Sequence, residues 1–256
     1  MKKLKPLALT GIIAATSLFG TGVSAATSNN YDLPTIQESK AIEEETQTVG
    51  KYYKYVEEEL RKYDVSETKI DNLIKKLKDG ALWDSVNPEM EGTATEVKLD
   101  EFTTKFEYPD GSVFIQVLDE SEATIETVEP PKDGMITPYA SIGGGSAISG
   151  SGYVVVTGAK VSGSVILAGA QYKVDYTIIN GGYDTISSAY SRNITVPGPG
   201  GNYEIESWGV KKAKEDAGGK AYVSLRFKAQ NSSLGASTMY LNTYVGGDKA
   251  TVSSNM

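Results

Sequence analysis

The chain has 256 residues, no cysteine, no histidine and a formal net charge of −8. The two missing residue types exclude disulfides, thiolate nucleophiles, Ser-His-Asp triads and metal or haem sites with His or Cys ligands. With 39% hydrophobic and 23% charged residues, the chain can form a folded core. Any chemistry must use carboxylate, hydroxyl, amine or backbone groups, and we predict no cofactor.

The N-terminus has the pattern of a secretory signal peptide. Three lysines precede an apolar stretch over residues 7–19, and small residues follow up to Ala25. This order is typical of exported proteins, and the apolar stretch is too short for a comfortable membrane span. We expect cleavage after Ala25 and a secreted, extracellular protein from a Gram-positive bacterium, with no later membrane span.

Charge divides the mature chain into two regions. Residues 27–133 carry a net charge of −14, and residues 134–256 carry +3. The Pro-Pro-Lys-Asp-Gly sequence at 130–134 is typical of a stiff, turn-forming linker. In chain order we predict a signal peptide (1–25), a mobile acidic segment (26–48), a helical hairpin plus β-meander (49–128), a Pro/Gly-rich linker (129–150) and a β-sandwich domain (151–256).

The acidic region is predicted to contain two amphipathic helices. Apolar residues recur every three or four positions over 49–63 and again over 70–77, which is the spacing of one helix face. Ser66 is a candidate N-cap for the second helix, and Gly80 is a candidate for its C-terminal stop. Together the two helices predict a hairpin.

A small β-meander is predicted after the hairpin. Residues 96–107 and 112–118 flank Tyr108-Pro-Asp-Gly, in which the Pro and the Gly suit a tight turn. Residues 123–128 can add a third strand.

The glycine-rich region is predicted to be all-β. Apolar and polar residues alternate most clearly over 171–179 and 221–229. Strands are predicted at 153–156, 161–167, 171–179, 185–196, 203–210, 221–229 and 238–245. The fold class is therefore α+β: a helical hairpin and small β-meander, then a sandwich-like domain of about seven strands. We prefer a sandwich to a closed sheet because nothing enforces the shear that closure needs.

Glu204 and Glu206 are the candidates for catalysis. They lie two residues apart on a predicted strand, so their side chains point to the same side and their backbones are roughly 6.5–7 Å apart. This distance is close to the separation of paired carboxylates in glycoside hydrolysis. The strand alternation places them on a polar face, where solvated glutamates are ordinary. We therefore predict no enzymatic activity, with glycan hydrolysis as an alternative. The acidic clusters at 119–122 and 215–216 lack a calcium-loop pattern, and no metal site is predicted.

Tyrosine is the abundant aromatic residue, with 16 Tyr against 5 Phe and 2 Trp. Tyr222, Tyr240 and Tyr244 are predicted to lie opposite the most apolar positions of their strands. An exposed aromatic stripe can stack on sugars, peptides or a membrane interface, although outward tyrosines are also good strand formers without a function. These three tyrosines are the predicted binding residues.

Charge and composition also limit the partners. Without the three lysines of the signal peptide the net charge is −11, which argues against nucleic acid. Residues 153–179 are rich in Val, Ser, Thr, Gly and Ala, a composition that membrane-inserting β-hairpins also use. A sandwich hairpin with one wet face is the preferred interpretation.

Two short motifs carry a resemblance to a known group of proteins. A helix ending at Gly80 is followed by Trp83-Asp-Ser and then by Tyr108-Pro-Asp-Gly-Ser. This order resembles a module in secreted Gram-positive, Bacillus-like proteins of unknown function, some of them similar in layout to large unmodified bacteriocins. The Gly-rich region is similar to β-domains from the same bacteria. The resemblance implies location and architecture, with Trp83 capping the apolar face of the helix and the hairpin packing on it.

Three functional hypotheses follow. The first is a secreted, non-enzymatic protein whose β-sandwich binds an extracellular or cell-surface ligand. The second is a secreted antibacterial or toxin-like protein, in which the acidic region is a pro-segment removed near Pro131 and Gly134. The third is a carboxylate-dependent glycan hydrolase.

Overall fold

The computed structural model describes residues 36–129, 152–232 and 235–256, with side chains from residue 48 onward. The predicted signal peptide and its cleavage at Ala25 lie outside these residues. So do the predicted processing positions, Pro131 and Gly134, and most of the predicted linker. These remain predictions.

Among the described residues, two α-helices precede the strands, as the apolar periodicity predicted. Helix α1 is Ile36–Lys62 and helix α2 is Glu67–Lys78. Helix α1 therefore begins within the segment, 26–48, that was predicted to be mobile and acidic. The first part of α1 is rich in Glu, Gln, Ala and Lys, which are strong helix formers, so the helix begins well before the apolar repeat over 49–63.

The end of α2 confirms Gly80 as the predicted helix stop. Gly80 has a φ of +70°, a conformation that glycine adopts without steric cost. Its N–H donates to the Leu77 carbonyl at 3.2 Å, and the Ala81 N–H donates to the Lys76 carbonyl at 2.8 Å. These two bonds form a Schellman motif. Ser66 occupies the N-cap position of α2, with extended backbone and no side-chain capping bond.

Eleven strands follow within the described residues, in two antiparallel sheets. They are β1 (Thr95–Lys98), β2 (Thr103–Glu107), β3 (Val113–Asp119), β4 (Thr124–Val128), β5 (Tyr153–Ser164), β6 (Gly169–Ile179), β7 (Thr185–Thr195), β8 (Asn202–Lys212), β9 (Ala221–Asn231), β10 (Gly235–Val245) and β11 (Ala250–Ser254). The seven-stranded sheet has the order β1-β2-β3-β5-β6-β7, with β4 also paired to β5. The four-stranded sheet has the order β11-β10-β9-β8.

The predicted meander is not separate from the predicted sandwich. Strand β3 pairs with β5 from Ile115↔Ser164 to Asp119↔Lys160, and β4 pairs with β5 from Thr124↔Thr157 to Val128↔Tyr153. Both predicted units therefore contribute to one sheet. The physical reason is the length of β5, since the two strands predicted at 153–156 and 161–167 are one strand that continues through an irregularity in its pairing with β6 between Val156 and Ala159.

Two smaller expectations are also corrected. The single strand predicted at 96–107 is two strands, β1 and β2, joined by a turn in which Asp100 Oδ1 accepts the N–H groups of Phe102 and Thr103. Strand β11 was not predicted, because its sequence lacks a strong apolar alternation.

The two sheets bury their inner faces against each other. On β6, Tyr172, Val174 and Tyr176 are buried, in line with the predicted alternation, and Thr177 joins them while Ile178 is only half-buried. The Tyr172 hydroxyl lies 2.7 Å from Thr243 Oγ1 of β10 in a buried hydrogen bond that links the sheets. The alternation predicted for β9 is confirmed at every position from 221 to 229.

The motifs that carry the resemblance hold α2 to the β2–β3 turn. Trp83 is fully buried, and its Nε1 donates to the Leu73 carbonyl of α2 at 2.9 Å. The N–H of Asp84 donates to Asp110 Oδ2 at 3.0 Å, and the N–H of Asp110 donates to Asp84 Oδ2 at 3.1 Å. The Lys76 ammonium contacts both carboxylates, at 3.1 Å and 2.8 Å. We call Lys76, Asp84, Asp110 and Ser112 the aspartate clamp.

Ser112 completes the clamp. Its Oγ accepts the Ser85 N–H at 2.9 Å and donates to Asp110 Oδ1 at 2.6 Å. Burial alone would raise the pKa of Asp110, but the hydrogen bonds from Lys76 and Ser112 outweigh it and hold the pKa below its ordinary value. Because the polar atoms of the clamp form hydrogen bonds with one another, we assign it a structural role.

Candidate binding face on the four-stranded sheet

The three predicted tyrosines lie together on the outer face of the four-stranded sheet. Tyr222 belongs to β9, and Tyr240 and Tyr244 belong to β10. All three are half-buried, and the residues that alternate with them in β9 are buried in the core. Because successive side chains of a strand point to opposite faces, the three hydroxyphenyl groups share one open surface, which we call the tyrosine face.

Two of the tyrosines form a cross-strand pair. Tyr222 is opposite Tyr244 in the β9–β10 register. Their ring centroids are 5.6 Å apart and their planes differ by 25°, a stacked arrangement that restricts both rings. Tyr240 is opposite Arg226.

A row of small polar residues separates the tyrosine pair from Tyr240. Ser224 is opposite Asn242, and Asn242 is opposite Ser253 of β11. Tyr240 and Tyr244 are four residues apart, which places their backbones about 13 Å apart along the strand. The tyrosine face therefore has aromatic rings at two ends and amide and hydroxyl groups between them.

The two glutamates that were candidates for catalysis face basic residues on β9. Glu206 Oε2 accepts a hydrogen bond from Arg226 Nε at 2.6 Å, and Glu204 is opposite Lys228 in the strand register. The β8–β9 register shifts between Ile205 and Ser207, which places Glu206 at a bulge. Cross-strand pairs of opposite charge stabilise a sheet. The sequence showed the carboxylates but not the neighbouring strand that supplies the cations.

The other acidic residues of interest accept backbone N–H groups. Glu215 accepts from Asp184 and Gly247, while Asp184 accepts from Ile179 at 2.8 Å and from Asp248 at 3.1 Å. Burial raises the pKa of Asp184, and the backbone hydrogen bonds only partly offset it. These carboxylates join the β6–β7, β8–β9 and β10–β11 turns. In the part of the chain that the structure describes, no group of acidic residues is arranged to hold a metal ion.

The predicted hairpin 153–179 is β5 and β6, and its apolar residues belong to the sandwich core. Val156, Ala159 and Val161 of β5 are buried, as are the inward residues of β6. Among the described residues, no helix has the length and apolar character needed to cross a membrane.

Comparison with known proteins gives no assignment. No family model, no curated protein and no solved structure matches the chain.

Proposed function

We propose that this chain is a secreted, non-enzymatic protein that binds a linear, hydroxyl-rich polymer, such as a cell-surface glycan, on its tyrosine face. The observation that supports this proposal is the arrangement of that face, with the Tyr222–Tyr244 pair at one end, Tyr240 at the other and a polar row between. Sugar rings offer apolar faces to aromatic side chains and hydroxyl groups to amides and hydroxyls.

The tyrosine face is preorganised for binding, because two of its rings are already restrained. Tyr222 and Tyr244 stack on each other, so binding costs little side-chain entropy. Tyrosine also has few rotatable bonds for the contact area that it provides.

The charges on the face favour a neutral ligand. Arg226 is bonded to Glu206, Lys228 lies opposite Glu204, and Lys212 forms an ion pair with Asp216 at 2.5 Å. Because two of these cations are held in ion pairs and the third lies opposite a glutamate, the face favours a neutral polymer over an ionic one.

Binding to insoluble polymers tests the proposal. Purified peptidoglycan, chitin and cellulose are incubated with the protein, and the bound fraction is measured after sedimentation. Tyr240→Ala and Tyr244→Ala each remove one ring that stacks on the polymer, and each is expected to weaken binding about threefold to tenfold. Tyr203→Ala and Tyr183→Ala are matched controls, since those tyrosines are 47% and 50% exposed outside the face. Equal loss in the controls, or no retention of the unmodified protein on any of the polymers, overturns the proposal.

The antibacterial alternative requires the acidic region to leave the β-domain. Strands β3 and β4 both pair with β5, so release would break two lines of backbone hydrogen bonds and expose the edge of β5. This pairing favours a protein whose two regions act as one unit.

A further inference from the structure

The two sheets differ in width, and the difference leaves a groove. Strand β3 lies against β11, the last strand of the smaller sheet, while β2 and β1 continue past it. Within the described residues, no strand of the smaller sheet packs extensively against β2 or β1. The space beside β11 has a volume of about 950 Å³, and we call it the edge groove.

The floor of the edge groove is aromatic. Phe106 of β2 and Phe114 of β3 stack with centroids 5.4 Å apart, and Phe102 and Leu118 extend the same lining. One wall is β11 together with residues 236–239 of β10, and the other is the segment over residues 82–92. An apolar floor with polar walls is typical of a binding groove.

The wall formed by β11 has an outer edge that pairs with no other strand in the described part of the chain. Gly246 N–H donates to the Lys249 carbonyl at the turn, and Tyr240 N–H bonds to the Asn255 side chain. The Gly246–Lys249 pair is therefore a hydrogen-bonded pair of the β10–β11 ladder. Hydrogen-bonded and non-hydrogen-bonded pairs alternate along an antiparallel ladder. Counted from that pair, the N–H and C=O groups of Val252 and its alternate neighbours point away from β10. Among the described strands, only β10 pairs with β11.

The rim of the edge groove is acidic. Glu91, Glu96 and Glu101 line it and are exposed, and Lys98 is the opposing charge among the lining residues. This excess of carboxylates complements a ligand that carries lysine or arginine.

We propose that the edge groove binds an extended segment of a separate protein, which adds to β11 as a fifth strand of the smaller sheet. Apolar and basic side chains alternate along this segment. The apolar side chains face Phe102, Phe106 and Phe114, and the basic side chains lie on the opposite face. Backbone hydrogen bonds to β11 supply affinity, and the aromatic floor and acidic rim supply specificity, as in other cases of strand addition. The inference is independent of the tyrosine face.

The probe is a nine-residue peptide of alternating Lys and Val, titrated by calorimetry into the full chain. Successive N–H groups of a strand point to opposite edges, so two N-methylated peptides are compared, one methylated on every Val and one on every Lys. Strand addition requires that one series loses affinity at least about tenfold, from several lost hydrogen bonds, while the other stays within about twofold. Equal behaviour of the two series, or no binding of the parent peptide, overturns the proposal.

Variants locate the binding on the chain. Glu96→Lys combined with Glu101→Lys changes exposed residues and is expected to weaken binding of the parent peptide about twofold to tenfold. Glu122→Lys combined with Glu126→Lys is the matched control, since both residues are exposed outside the groove. An equal effect in this control overturns the proposal.

A backbone variant tests the edge itself. Val252→Pro removes an N–H that points into the groove and leaves the bonds to β10 in place, which edge strands tolerate. Val252→Thr keeps the N–H and serves as its control. Weaker peptide binding is expected for the proline variant alone, with thermal unfolding by circular dichroism confirming that both variants fold. Unchanged binding of a folded Val252→Pro variant contradicts the proposal.

Discussion

The aspartate clamp should be a main contributor to stability, and Asp110→Ala is the change that tests it. Asp110 accepts hydrogen bonds from the Lys76 ammonium, the Asp84 N–H, and the N–H and hydroxyl of Ser112. Its side chain is 9% exposed, so water cannot easily replace the lost partner. Alanine leaves these donors without their acceptor.

The expected loss follows from the kind of group that is removed. Removing one member of a buried ion pair costs about 3–5 kcal/mol, and Lys76, which is 34% exposed, places this case at the lower end. We expect a decrease of about 3 kcal/mol in the free energy of unfolding, and a fall of roughly 6–12 °C in Tm for a protein of this size. Urea unfolding followed by tryptophan fluorescence measures it, because Trp83 is fully buried beside the clamp.

Asp79→Ala is the matched control for this experiment. Asp79 pairs with Lys75 on the same helix, but the two side chains are 56% and 74% exposed, and such pairs contribute about 0–1 kcal/mol. If Asp110→Ala costs no more than Asp79→Ala, the clamp does not hold α2 to the β2–β3 turn and the reasoning is refuted.

Three further predictions concern the rest of the fold. Tyr172→Phe leaves the buried Thr243 hydroxyl unpaired and should cost about 1–3 kcal/mol in urea unfolding; adding Thr243→Val should recover part of this loss, and additive losses would contradict it. Because the folded pKa of Asp184 is raised, its protonated form is favoured in the fold and stability falls as pH rises above its ordinary value of about 4. Asp184→Asn should therefore flatten the dependence of unfolding free energy on pH just above pH 4, and an unchanged slope would disprove this. A chain cut at a protease site introduced over residues 131–134 should elute from gel filtration as one species, since β3 and β4 remain paired with β5; separate fragments would disagree.

The helices could be predicted because their signals are local. The spacing of apolar residues fixes which face of α2 is buried, and Gly80 takes the positive φ that ends the helix. Pairing between distant strands is different. The acidic and the glycine-rich regions differ in charge, and composition suggested a boundary, yet Asp119 lies opposite Lys160 within one sheet. A difference in composition says nothing about which backbones share hydrogen bonds.

The candidate sites show the same limit. Alternation alone was enough to place Tyr222 and Tyr244 on an outer face, since inward and outward positions follow from a period of two. That they stack on each other depends on the β9–β10 register, which alternation does not determine. Likewise Glu206 looked like half of a carboxylate pair until β9 placed Arg226 beside it.

The edge groove arises from a property that belongs to no single strand. The smaller sheet covers the larger sheet only as far as β11, which is its edge strand. The larger sheet continues beyond that edge. The aromatic residues of β2 and β3 are then partly covered by their own stacking and by the segment after α2, while no other described strand pairs with the outer edge of β11. An unpaired edge beside an apolar floor invites pairing with other chains, which proteins generally prevent. The acidic rim beside this edge repels acidic chains, so a strand that adds to β11 must carry basic side chains.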